Sequence, residues 1–199
     1  MIQQDYIMRM IEQLVQVLAK LLFNKEAKNY NDALNDIDIA SKTIVGLDFK
    51  LLEELSAKDI KSLLALKKDD STVNIKLIII AKLIKEKTEI LKLTSPDNPK
   101  IIPNYQKAIS LYLEGILNNK NTEIDLSRFY QDVEEIENIL KDEINTEIRF
   151  NLFKFYDHSG NTAKAGKELI KLKEMNYPDI EKVGINFFKK LEKLSKEDL

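Results

Sequence analysis

Two apolar stripes of helical period, joined by one short glycine-containing turn, constrain this chain more than any other stretch. The first stripe places Phe150, Phe153, Leu152 and Tyr156 at three- and four-residue intervals. Gly160 follows and can take positive φ at low cost, the usual way for a helix to stop. Asn161 is a suitable N-cap for a second helix. There Ala165, Leu169 and Leu172 return to one face, and Ala165 is small enough to let two helix backbones approach. Pro178 ends the unit. The stretch from Arg149 to Pro178 therefore predicts a helical hairpin, on which the rest of the chain stacks as further helices.

The hairpin resembles a tetratricopeptide repeat. That pattern carries Trp, Leu-Gly and Tyr on its first helix, then Ala, a large apolar residue and Pro on its second. Leu152, Tyr156, Ala165 and Leu169 fit, with Arg149 in place of Trp and Phe153 in place of Gly. Ala33, Ile37 and Ala40, with Tyr30 ahead of them, echo the small–large–small spacing, as do Ala108, Tyr112 and Gly115 behind Tyr105. The intervals between echoes are unequal, so irregular helical pairs are expected rather than a strict array. The opening Gln3-Gln4-Asp5-Tyr6-Ile7-Met8-Arg9-Met10-Ile11-Glu12-Gln13 resembles the start of a family of uncharacterised bacterial proteins with a tetratricopeptide-like helical fold. The resemblance implies an all-α fold, an irregular stack of antiparallel helix pairs forming a tetratricopeptide-like superhelix. It implies no activity.

At 199 residues the chain can bury one sizeable core, so a single domain over residues 1–199 is expected. Only five glycines and four prolines leave little punctuation for an all-β fold. A net charge of −2 is too balanced to point to a nucleic acid or an anionic membrane. Without cysteine there are no disulfides and no thiolate chemistry. The first residues lack a basic segment followed by an apolar run, and the apolar run from Leu77 to Ile84 is far short of a membrane span. A soluble cytoplasmic protein is the simplest expectation.

The first helix is expected from Gln3 to Phe23, with Ile7, Met10, Ile11, Leu14, Val17, Leu18, Leu21 and Leu22 forming its stripe. Such a stripe packs on its own domain or pairs with another subunit, which makes Met10, Leu14 and Leu18 candidate homodimer residues. Asn29 or Asn31 caps a second helix that ends at Gly46, and Asp48 and Ser56 cap two short ones, Ser56 with Asp59 in a near capping box. Lys67 to Asp70 reads as a solvated loop. Thr72 to Thr94 is a helix that is apolar nearly all round from Leu77 to Ile84, the expected centre of the molecule. Ser95-Pro96-Asp97-Asn98-Pro99 is the clearest break, a loop or a subdomain border or hinge at 95–103. Further helices are expected from Pro103 to Leu117, from Ile124 to Leu140, and from Ile180 to Leu194, the last burying Val183, Phe187, Phe188 and Leu191 as a capping helix.

Little in the chain points to catalysis. His158 is the only histidine, and adjacent Asp157-His158-Ser159 cannot point at one another in triad geometry. One His and no Cys build none of the usual zinc sites, and no Glu-x-x-His pair exists for a di-iron bundle. Glu134, Glu135 and Glu137 read as a solvated helix face. No glycines are spaced for a nucleotide loop. No cofactor and no metal are expected. In a repeat-like hairpin the first helix turns Glu147, Lys154 and Asp157 outward, making them candidate interaction residues. Three functions follow: a non-catalytic module binding a protein, a peptide or its own copy; an enzyme with a carboxylate or Tyr site between helices; and a small-ligand or peptide-sensing regulator.

Overall fold

The structure, a computed structural model, describes residues 2–66, 72–120 and 124–197. Every regular element among them is helical. Contacts divide the chain into two units, Met1–Glu143 and Ile144–Leu199.

The first unit is built around α5 (Val73–Thr94). Leu77 to Ala81, Leu83 and Ile84 are all buried, as their unbroken apolarity predicts. Its principal partner is α6 (Ile101–Leu117), joined to it by the turn at Ser95 to Pro99. The approach of these two helices is set by Gly115. A Cβ there would lie 2.7 Å from the Asn74 carbonyl oxygen and 2.7 Å from Ile78 Cγ1. Around this pair pack α1 (Ile2–Glu26), α2 (Tyr30–Ala40), α4 (Ala57–Ala65) and α7 (Tyr130–Leu140), with the short α3 (Phe49–Glu54) against α2. Asp48 caps α3 by accepting from the Lys50 backbone at 2.9 Å. Ser56 and Asp59 close a reciprocal capping box on α4.

Three details differ from the sequence expectation. α2 continues through a wider, π-helical turn, Ser41–Val45, before Gly46. α7 starts at Tyr130 rather than Ile124. Residues 127–129 form a separate tight turn, started by Asp125 accepting from the Ser127 backbone at 2.9 Å. The break at 95–103 lies inside the first unit, between its two most closely packed helices. The charged block Lys67 to Asp70 lies outside the described residues.

The second unit contains the expected hairpin, α8 (Thr146–His158) and α9 (Thr162–Glu174), followed by α10 (Ile180–Glu197). Gly160 makes the turn at φ 76°. Asn145 and Asn161 cap the two hairpin helices by accepting from the Ile148 and Lys164 backbones. Ala165 is fully buried, as the close approach of two backbones requires. Arg149 is buried too, and its Nη1 donates to Glu168 at 3.0 Å, so a charged pair fills the place where the repeat pattern has its Trp.

Candidate functional site

The second unit carries an open groove of about 920 Å³ between α9 and α10. It arises because α10 rests on the hairpin through one edge only. Phe187 is the wedge, meeting Phe153 edge-on at 5.6 Å, and Lys190 adds an ion pair to Asp157 at 2.7 Å. Both groups sit on one side of α10. The adjoining side, with Ile185 and Phe188, stays out of the core. Ile185 is 54% exposed and Phe188 58%, while Ile170 across the groove on α9 is 61% exposed. Phe188 is therefore not the core residue that its position beside Phe187 predicts.

Gly166 on α9 and Gly184 on α10 line the groove, and a Cβ added at either would meet nothing within 4 Å. A glycine inside a helix costs about 1 kcal/mol relative to alanine. At Gly115 the close approach of α5 explains that cost, whereas within the second unit nothing explains it at Gly166 or Gly184. Charge is divided across the groove. α9 contributes Lys167 and Lys173, and α10 contributes Glu181 and Glu192 with Lys189. No ion-pair partner among the described residues meets Lys167, Lys173, Glu181 or Glu192 within bridging distance. The groove can hold an apolar helix face and set its orientation by charge. Its polar groups lie along both walls rather than converging on one point.

A second polar site lies in the first unit, where α5 carries a charged stripe into the core. Lys82 pairs with Glu86 at 3.2 Å and Asp132 at 2.9 Å; Lys85 pairs with Asp132 at 2.8 Å and Glu135 at 2.7 Å. Lys25 of α1 reaches Glu86 at 2.6 Å and Glu89 at 3.2 Å. The Tyr112 hydroxyl donates to Asp132 at 3.0 Å. Burial works against every charge here, but the partners win. The Asp132 and Glu86 carboxyls are held below the usual carboxylate range and Lys85 well above the usual lysine value. The Tyr105 hydroxyl is buried with no hydrogen-bond partner among the described residues. Burial, reinforced by the Glu89 charge, pushes it up to about 12. Each of these groups is moved away from neutrality, the opposite of what proton transfer near pH 7 asks.

The sequence-predicted residues are scattered over both units. Met10 and Leu14 are 2% and 1% exposed; they are core residues of the first unit and offer no surface to a partner. Leu18 is half-buried. Glu147 and Lys154 are exposed, and the Lys154 ammonium sits 4.8 Å over the Phe150 ring. Asp157 is half-buried and engaged by Lys190. Glu135 is not part of a freely solvated face, since it binds Lys85. Sequence reasoning missed Asp132 altogether. The available signal was the stripe Lys82, Lys85, Glu86, Glu89 directly following the apolar run of this helix, because buried charges need partners. Among the described residues no group of three or more His, Asp or Glu side chains is placed to hold a metal ion. No helix among them is long and apolar enough to cross a membrane.

No curated protein and no solved structure matches the chain. A family model does match, over residues 1–199, and the chain accordingly belongs to the Family of unknown function (DUF6483).

Proposed function

We propose that the chain is a non-catalytic helical interaction module, a tetratricopeptide-like stack whose α9–α10 groove holds an amphipathic helix of a protein or peptide partner. One observation carries this: an open apolar groove with glycines on its lining and uncompensated charges on both walls. Helix-in-groove recognition needs an apolar floor for anchors spaced by three and four residues, with polar walls for register. A ligand-sensing or catalytic site would instead gather polar groups around an enclosed space. The enzyme alternative has one natural location, the charged cluster of α5, and there the carboxylates are held ionised by lysines.

The test is affinity capture from the native host lysate with the wild type and with Phe188→Glu, which places a charge on the groove wall while leaving Phe187 in the core. The wild type should retain a partner that the variant loses. Identical capture by both proteins would sink the interaction reading of the groove.

A further inference from the structure

We infer that the occupant of the α9–α10 groove is α10 of a second copy of this chain, seated in a two-fold symmetric, antiparallel pairing. The inference rests on the interaction reading above and names its partner. A two-fold contact must be self-complementary, so that what one copy presents is what the other receives. The groove meets that condition. The exposed stripe of α10 runs Glu181, Ile185, Phe188, Glu192, at helical intervals of four, three and four. The facing wall of α9 runs Lys167, Ile170, Lys173, at intervals of three. Each stripe has an apolar centre and charged ends, and the two stripes carry opposite charges; Lys189, also on the groove lining, lies beside the α10 stripe and takes no part in this pairing.

When α10 of one copy enters the groove of the other, Ile185 and Phe188 meet Ile170 over the gap above Gly166. Glu181 and Glu192 come alongside Lys167 and Lys173. The symmetry repeats the same four charges on the other side. Gly184 lies on the α10 face turned to the partner, so the two copies of α10 can approach as closely as Gly115 lets α6 approach α5. The two half-buried helix glycines, the exposed Phe188 and these four charges thus have one common explanation.

Sedimentation equilibrium of the full chain over a wide concentration range tests this. The wild type should fit a monomer–dimer equilibrium. Gly184→Ala is the sharpest variant, because its new methyl group meets nothing within the chain and alanine favours the helix. It should raise the thermal midpoint of the monomer yet weaken dimerisation roughly tenfold or more. Lys167→Glu with Lys173→Glu should weaken the dimer, and adding Glu181→Lys with Glu192→Lys should restore it. A wild type that stays monomeric throughout overturns the self-pairing. So does a dimer indifferent to Gly184→Ala, or a charge reversal that the compensating pair fails to rescue. Should the wild type be monomeric while Phe188→Glu still abolishes capture of another protein, the interaction reading survives and only the self-pairing falls.

Discussion

At the scale of single residues, two tyrosines about two turns apart on the same face of α6 have opposite circumstances. Tyr112 donates to Asp132, while the Tyr105 hydroxyl is buried without a partner. A buried polar group left unpaired costs about 1–3 kcal/mol, whereas a hydrogen bond to a charged group contributes about 1.5–3 kcal/mol. Tyr105→Phe should therefore be neutral or stabilising in denaturant melts, and Tyr112→Phe should destabilise by about 2 kcal/mol. Equal losses for both would mean that the Tyr105 hydroxyl is satisfied after all. Ala165 offers a second matched pair. Ala165→Leu must part α8 from α9 or strain a rotamer, costing roughly 1–3 kcal/mol or more. Ala163→Leu, two residues away on the exposed side, should stay within about 0.5 kcal/mol. Lys164 would be a poor control, because its ammonium lies 5.0 Å over the Tyr156 ring.

At the scale of elements, α5 is both the apolar centre of its unit and the carrier of its buried charges, so its stability should depend on pH at two ends. Glu86 and Asp132 have depressed values in the folded state. Their contribution is complete above the ordinary carboxylate range and is lost as pH falls through the lower folded values. Lys25 and Lys85 have raised values, so theirs is complete below the ordinary 10.5 and is lost only as pH rises through the higher folded values. Denaturant midpoints should be level through neutral pH and drop in acid below about pH 4. Asp132→Asn should cost about 3 kcal/mol at pH 7, by leaving Lys82 and Lys85 short of one anion, and should flatten the acid limb. An unchanged acid limb in that variant would show that the cluster does not set it.

Much of this element layout was legible in the sequence, and the parts that were not have physical reasons. Periodicity located α1, α5, α8 and α9, and the side chains of Asp48, Ser56 and Asn161 marked the starts of α3, α4 and α9, because helix and cap are local properties. The pairs Lys25–Glu86 and Lys82–Asp132 join residues far apart in the chain, and no local pattern encodes them. The groove was hidden for a related reason. Phe187 and Phe188 are equally apolar, and only the position of Phe153 decides which one is core.

For the whole molecule, the prolines at Pro96 and Pro99 mark a turn within one unit, whereas the division between units falls at Glu143 and Ile144, where no glycine or proline stands. The first unit encloses its own core, centred on α5. A fragment of residues 1–143 should therefore be helical and unfold cooperatively by circular dichroism, with a midpoint close to that of one transition of the full chain. A fragment that is unfolded, or that melts without a sigmoid, would show that the two units share their stability.

The place of α5 within that first unit also matters during synthesis. A helix with almost no solvent-facing side has nowhere to rest until α1, α6 and α7 surround it. All of those are encoded before Ile144. At roughly 5–20 residues per second, translation of the second unit takes seconds, far longer than a helical domain needs to collapse. The most aggregation-prone segment of the chain is thus shielded while the ribosome is still engaged. The groove of the second unit, encoded after that shielding is in place, is an apolar surface that stays open once the unit has folded.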